Sequence, residues 1–470
     1  MKVSPRTKEV TSITVTGYES GSTDLATRTF TIVRLLHSSP VLYSRGTRVW
    51  IVMDEQGSFY VLKDSWILGD RETSEIEFVK HIDQTIKDDP EGYLYQYICP
   101  TYCIGQEAVW CTDTIRLHIL KSSTRYHRRM VTGPIGDPIT SFRSKKEFVT
   151  VFLDIINGLD FLNRKAHVIH GDLSVNNVMI TTDSDDVDTP PSQPDFGIDQ
   201  TSVVEPLALS SHDPRPLSTA SSVNHNGTID DIESSGMIID CDFMRYVDDD
   251  TRMASGTMPY MSIETLRLPL DSPFKYHAGH DLESLLYTML TLCTYTVGPG
   301  GQLRENTNDN SSKSIKLNKW FSIALRLPLA EKKAFTLESY DTFIRPHLPQ
   351  YWQDFSPYLQ RLINATWNKQ ILYSADNIAT HQAYRTILLD ALEQYTKEET
   401  KELAVYAFVP KAKRQISDST SPRKAKRTRL DYDADRDSDD AVFIPRGTQT
   451  CFLDDYEESC EEDGESSSES

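Results

Sequence analysis

Cysteine pairs at motif spacing are missing from this 470-residue chain: its seven cysteines are odd in number and none stands in a C-x-x-C spacing, so neither a disulfide framework nor a zinc module is indicated. A reducing compartment fits that usage. Long apolar runs are missing as well. The most apolar stretch, Leu285 to Val297, is interrupted by Thr and Tyr and is too short to span a bilayer, and the Met-Lys-Val-Ser-Pro start lacks the apolar core of a signal peptide. A soluble intracellular protein with no membrane partner is expected. There is no basic excess either: 69 acids against 49 bases give a formal charge of -20, which argues against direct nucleic-acid binding. No internal repeat is apparent.

With 38% hydrophobic and 10% aromatic residues, the chain has enough material for a substantial core. Its charge is unevenly spread. Residues 181–238 hold eleven acids against Arg215 alone, residues 431–470 hold fifteen acids against Arg436 and Arg446, and residues 411–429 hold eight bases against Asp418. The rest is nearly neutral, so the acidity belongs to the first two of these segments, and the third is basic.

Residues 1–28 are polar and Ser/Thr-rich with no clear period. From about Phe30 to Phe152, short β-like runs alternate with turns, as in Arg48-Val-Trp-Ile-Val52, the hairpin turn Asp-Glu-Gln-Gly, and Phe59-Tyr-Val-Leu62. A helix is predicted around Phe78, Val79 and Ile82, and another from the helical spacing of Phe148, Val151, Phe152, Ile155, Leu159 and Leu162. After Ile180 the texture turns to Ser, Asp and Pro until about Ser235, with too little apolar surface to offset ordering entropy. It is read as a disordered insertion inside one domain, because apolar patterning resumes at Met237. Helical patterns then run from about Glu264 to Tyr406.

The sharpest local signal is Val168-Ile-His-Gly-Asp-Leu-Ser-Val-Asn-Asn-Val-Met-Ile180. Moving a phosphoryl group needs a carboxylate to orient the attacking hydroxyl and a nearby oxygen donor for Mg2+. His170, Asp172 and Asn177 have the H-x-D-x-x-x-x-N spacing that supplies both from one loop, with Asp172 as base and Asn177 as metal ligand. Taken alone, the string also fits a turn between two buried strands.

A second metal ligand is expected at the end of the following strand. Asp195-Phe-Gly197 has the familiar letters but sits among prolines with no strand to position it, so Asp240, which ends the apolar run Met237-Ile-Ile239, is preferred. Upstream, Val61-Leu-Lys63 on a predicted strand marks Lys63 as the phosphate-holding lysine. Glu75, with Phe78 and Val79 after it, is its expected helix partner, and Glu77 is the alternative. A phosphate-covering loop belongs at Ser39 to Val49. It offers only Gly46 before Val49, so few backbone N–H groups can approach a phosphate closely.

Together these residues resemble the protein-kinase superfamily, and most closely the fungal-type protein kinase family. The likeness rests on Leu62-Lys-Asp-Ser-Trp66, Ile135-Gly-Asp-Pro-Ile139 with Phe142 and Lys146-Glu-Phe148, His170-Gly-Asp-Leu-Ser174, Ile239-Asp-Cys-Asp242, Gly256-Thr-Met-Pro-Tyr-Met261 and His280-Asp-Leu-Glu-Ser284. It implies an α+β, two-lobed kinase fold: a β-rich N-lobe over 29–132, and a helical C-lobe over 133–408 with the disordered insertion at 182–235. A polar segment, 1–28, precedes it and a disordered basic-then-acidic tail, 409–470, follows. By the same resemblance ATP and Mg2+ are the cofactors, Gly46, Val49 and Lys63 meet the nucleotide, Glu264 anchors the activation segment, and Asp281 braces the catalytic loop.

Three departures stand out. Gly171 replaces the usual arginine before the catalytic Asp, removing the cationic partner of an activation-loop phosphate; Ser174 replaces a lysine; and Asp242 replaces a glycine, stiffening its turn. The expected activity is Ser/Thr protein kinase, with Thr257 favouring hydroxyl amino acids over tyrosine. The alternatives are a small-molecule kinase of the aminoglycoside or choline kinase type, which shares His-Gly-Asp, and a pseudokinase scaffold. Lys411-Ala-Lys-Arg414 and Arg423-Lys-Ala-Lys-Arg-Thr-Arg429 have the spacing of a bipartite nuclear import signal, so an import receptor and a nuclear location are expected.

Overall fold

Threonine alternates with β-branched apolar residues early in the chain, and that period of two is what a strand requires. The polar stretch 1–28 therefore does carry structure: β1 (Lys2–Val3), β2 (Val10–Glu19) and the start of β3 (Leu25–Ser38). Ile13 and Val15 are fully buried, while Thr14 meets Thr29 and Thr16 meets Thr27 on the outer face, each pair 3.0 Å apart between Oγ1 atoms. A composition count scores both faces as polar, which hides the alternation. The computed structural model describes residues 2–3, 10–39, 45–68, 74–112, 124–182, 234–249, 256–269, 274–304, 317–368, 371 and 377–407.

The turn expected at Asp54 joins β4 (Arg48–Met53) to β5 (Phe59–Leu68). Asp54 Oδ1 accepts the N–H groups of Gln56 and Ser58, both at 2.9 Å. With β6 (Thr101–Cys111) and β7 (Arg125–Gly133) these strands form one antiparallel sheet in the order β1-β2-β3-β4-β5-β7-β6. A further pairing of β2 with β6 turns the sheet back on itself. Its interior holds Phe30, Trp50, Val52, Leu62, Ile104 and Val131.

Helix α1 (Glu75–Asp88) starts with a capping box: Ser74 Oγ accepts the Glu77 N–H at 3.1 Å and Glu77 Oε2 accepts the Ser74 N–H at 2.7 Å. Its buried face, Ile76, Phe78, Val79 and Ile82, belongs to the main core shared with the later helices rather than to the sheet interior. That core is built on α2 (Lys145–Phe161), against which the long C-terminal helix α9 (His381–Ala407) packs. Between them in sequence lie α3 (Ile263–Arg267), α4 (Ala278–Tyr295), α5 (Asn318–Ser322), α6 (Arg326–Glu338), α7 (Tyr340–Phe343) and α8 (Ser356–Thr366). The class is α+β. Helix α4 is buried on nearly every side, which explains the apolar run starting at Leu285; no described helix is long and apolar enough to cross a membrane.

Short strands hold the loops that matter. β9 (Val168–Ile169) pairs with β12 (Arg245–Tyr246), and β10 (Val178–Thr182) pairs with both β8 (Asp137–Pro138) and β11 (Ser234–Ile238). The β10–β11 ladder runs from Val178↔Ile238 to Thr182↔Ser234, so it takes in both ends of the expected 182–235 insertion. Residues 183–233, with Asp195-Phe-Gly197, and the tail 408–470 lie outside the described residues.

Strand β11 lies directly on α2. A Cβ at Gly236 would sit 2.3 Å from the Val151 carbonyl oxygen, an atom of the helix backbone that cannot move aside cheaply. Gly236→Ala is expected to lower unfolding free energy by about 1–3 kcal/mol, read as a fall in Tm by calorimetry.

Candidate active site

Lys63 lies in β5 opposite Val49 of β4, and its ammonium meets three carboxylates. Nζ is 2.9 Å from Glu75 Oε1, 2.5 Å from Asp240 Oδ1 and 3.0 Å from Asp242 Oδ2. Glu77 is spent on the helix cap, which settles the choice between the two glutamates in favour of Glu75. Asp240 takes left-handed backbone angles, φ 66° and ψ 69°, at the turn after β11, a conformation uncommon for a non-glycine residue. That turn is what brings Asp240 and Asp242 to the same lysine.

Two further cations complete the cluster. Arg45 Nη1 donates to Asp242 Oδ2 at 2.6 Å, and Arg128 Nη1 reaches Asp242 Oδ1 at 3.3 Å and Glu75 Oε2 at 3.8 Å. Burial alone would lower the Lys63 pKa, but the charges of Asp240, Asp242 and Glu75 more than reverse this and hold it above its ordinary value. Glu75 shifts upward too, because burial and the Asp242 carboxylate outweigh its share of the ammonium. Three acids on one lysine explain why both members of this ion pair rise.

The loop after β9 is organised by one buried acid. Asp281, in the first turn of α4, accepts the peptide N–H of His170 at 2.8 Å and that of Gly171 at 2.9 Å. His170 is buried, which lowers its pKa and keeps the ring neutral. Its Nδ1 accepts the Asp172 N–H at 3.3 Å, so Nε2 carries the hydrogen and donates to the Ile239 carbonyl at 3.2 Å. Asn177 Nδ2 donates to the Asp172 carbonyl at 2.7 Å, leaving its side-chain oxygen for a cation. Asp172 Oδ1 accepts both the N–H and the hydroxyl of Thr257, each at 2.7 Å. Burial and the Asp240 charge push Asp172 up to about 7, with the Thr257 bonds pulling the other way.

Of the residues singled out from sequence, Lys63, Glu75 and Asp240 are in direct contact, and Asp172 and Asn177 are in contact with one another. Gly46 has a left-handed φ of 54° beside Trp66, at the base of a loop whose residues 40–44 lie outside the described ones. Sequence reasoning missed Arg45 and Arg128, because a lone arginine on a strand or loop carries no spacing signal. It also missed the buried acid that holds the start of α3. Glu264 accepts from His280 Nε2 at 3.0 Å, and hydrogen bonding from His277 and His280 holds its pKa down at about 2, but it stays partly exposed. The fully buried acid is Glu283, which accepts the Ile263 N–H at 2.7 Å, and buried Lys333 donates to the Met261 carbonyl at 2.6 Å.

Glu264, His277 and His280 lie close enough for their ligand atoms to share a cation. Yet both rings use Nδ1 to accept backbone N–H groups, of Gly279 and His277, each at 3.1 Å. Each Nε2 therefore carries hydrogen toward Glu264, and the trio works as a helix cap and tether.

Gly171 does not leave its surroundings without a cation. Arg245 of β12 is 1% exposed, stacks 3.8 Å from the Tyr276 ring centroid, and would lie 3.5 Å from a Cβ at position 171 through Nε. The charge absent from the loop itself thus stands beside it from a neighbouring strand.

A family model of fungal protein kinases matches residues 5–99 and 106–293, more than half of the chain. The chain belongs to the fungal protein kinase family. A search of curated proteins found no match to it. The matched stretches include every residue of the cluster around Lys63 and of the loop around Asp172.

Gly171 has φ 74°, and a Cβ there would sit 3.0 Å from the Phe243 carbonyl oxygen. Gly171→Arg, which restores the usual kinase residue, is expected to cost about 1–2 kcal/mol and to lower Tm.

Proposed function

We propose that this protein is a Ser/Thr protein kinase that moves the γ-phosphoryl group of ATP, with Mg2+, to hydroxyls of protein substrates. The reading takes the sheet as an N-terminal lobe, the helices as a C-terminal lobe, and the nucleotide between them. The observation that carries it is the assembled state of the site: Lys63 is bonded to Glu75 at the same time as Thr257 holds Asp172. Hydroxyl acceptors are favoured because Thr257 leaves Asp172 Oδ2 as the oxygen available to a substrate hydroxyl, with Asn177 Nδ2 at 3.5 Å beside it.

The donor set fits the implied metal. The Asn177 side-chain oxygen and the Asp240 carboxylate are hard oxygen ligands of the kind Mg2+ takes, and Asp240 is the less buried of the two acids at its turn. When bound, the metal would neutralise phosphate charge. Asp172 would orient the acceptor hydroxyl and take its proton at Oδ2, while Asp281 keeps the loop backbone fixed through its two N–H bonds.

Purified protein given Mg2+, ATP and a panel of protein and small-molecule acceptors is expected to label protein. Asp172→Asn should lower the rate by about a hundredfold or more. Labelling of only aminoglycoside or choline would support the small-molecule reading, and nucleotide binding without any transfer would support a pseudokinase.

The pH dependence has a definite sign. Asp172 must be ionised to accept a proton, so kcat is expected to fall as pH drops through about 7. Thr257→Val removes one hydrogen bond that favours the ionised form and should move this acid limb to higher pH, which a pH–rate profile measures.

The basic clusters at 411–429 support nuclear import of the protein. A fluorescent fusion should enter nuclei and lose that preference when both clusters are replaced by alanine.

A further inference from the structure

All three N–H groups of the Lys63 ammonium have carboxylate partners within 3.0 Å. One of those partners, Asp242 Oδ2, also accepts from Arg45 at 2.6 Å. Lys63 and Arg45 thus share a single oxygen atom. Asp242 has its side chain 1% exposed and takes a third cation, Arg128, on its other oxygen. An anion with two oxygens is held here by three positive side chains, in the manner in which proteins hold phosphate.

Arg45 is well placed for that task. It stands one residue before Gly46 in the loop that has so few glycines, and its carbonyl is pinned to β5 by the Trp66 N–H at 2.7 Å. Its guanidinium lies 5.2 Å from the Phe243 ring centroid, which fixes its direction toward the turn that carries Asp240 and Asp242. A loop poor in glycine offers few backbone N–H groups to a phosphate. A guanidinium, with five donors in a planar fork, supplies the same function from a side chain.

We propose that Arg45 is a phosphate ligand of this site, acting with Lys63 on a nucleoside di- or triphosphate, and that the Asp242 carboxylate holds the phosphate's place when no nucleotide is bound. One phosphate oxygen at the position of Asp242 Oδ2 would satisfy Lys63 and Arg45 together, as the carboxylate oxygen does. Nucleotide affinity is then the outcome of a competition between phosphate and Asp242 for the same two cations. This rests on the nucleotide-binding reading given above and adds to it the residue that grips the phosphate and the residue that opposes it.

The test is binding, independent of transfer. Isothermal titration of the full chain with ADP and with adenosine, in the presence of Mg2+, compares wild type with Arg45→Ala, Arg45→Lys and Asp242→Asn. ADP affinity is expected to fall about tenfold or more in Arg45→Ala, to fall less in Arg45→Lys, and to rise about tenfold in Asp242→Asn. Adenosine affinity should be the same in all four. Because a single charge change in a buried cluster can unfold the protein, the double variant Arg45→Ala/Asp242→Asn, which removes one charge of each sign, is measured against Asp242→Asn. It should bind ADP about tenfold more weakly.

Equal ADP affinity in wild type and Arg45→Ala, or equal losses for ADP and adenosine, overturns the role of Arg45 while leaving the kinase reading intact. An unchanged or weaker ADP affinity in Asp242→Asn overturns the competition. A wild-type protein that binds adenosine and ADP not at all overturns both this inference and the functional reading beneath it.

Discussion

Taking an ion out of water costs several kcal/mol even after relaxation, so the six charged side chains of the Lys63 cluster must balance. Glu75, Asp240 and Asp242 supply three negative charges, and Lys63, Arg45 and Arg128 supply three positive ones. The six come from α1, β5, β7, the loop before β4 and the turn after β11. Lys63, Arg45 and Arg128 with Glu75 leave a net +2, which the -2 of Asp240 and Asp242 offsets. The balance therefore ties the N-terminal sheet to the turn at Asp240, and removing one member would strand a buried partner of opposite sign.

Beside that charged centre, the loop carrying Asp172 is held by hydrogen bonds to its backbone rather than by ion pairs. Asp281 grips two peptide N–H groups, a neutral His170 fixes the Ile239 carbonyl, and Gly171 lets the chain turn where a Cβ would collide with Phe243. Asp281 sits in the first turn of α4, where the helix dipole favours a carboxylate. The loop position is consequently set by the buried core, and His170 ties it to the strand end that carries Asp240. Arg245, stacked on Tyr276, supplies a positive charge next to Gly171 without entering the loop.

How much of this is legible in the sequence depends on how far each interaction reaches. Asp172 and Asn177 were readable because they share one loop at a fixed spacing, and Asp240 because it ends an apolar strand. Lys63 and Glu75 were readable for a similar reason, a strand followed by a helix. Arg45 and Arg128 were not, since they meet Asp242 across 197 and 114 residues, and no local pattern encodes such a pairing. Residues 10–28 escaped for a different reason: the threonine pairs Thr14–Thr29 and Thr16–Thr27 make a strand's outer face look like a polar linker. Glu283 was visible as part of a string, but its role came only from burial, which periodicity along α4 could not reveal because that helix is buried almost all round.

The long acidic stretch between β10 and β11 is tolerated because of where the ladder places its ends. Val178 pairs with Ile238 at the end of the ladder next to Asn177 and Asp240, whereas Thr182 pairs with Ser234 at the other. Four residue steps at strand rise separate the two ends by roughly 14 Å, which exceeds the Debye length of about 8 Å at physiological salt. A charge at the Thr182 end is therefore screened from the Asn177 end of the ladder. Closing a long loop costs little more than closing a short one, and the five paired residues of the ladder, with Gly236 pressed onto α2, bear that cost. A chain that carries most of its -20 outside the helical core and the sheet can thus keep a Lys63 cluster whose six charges sum to zero.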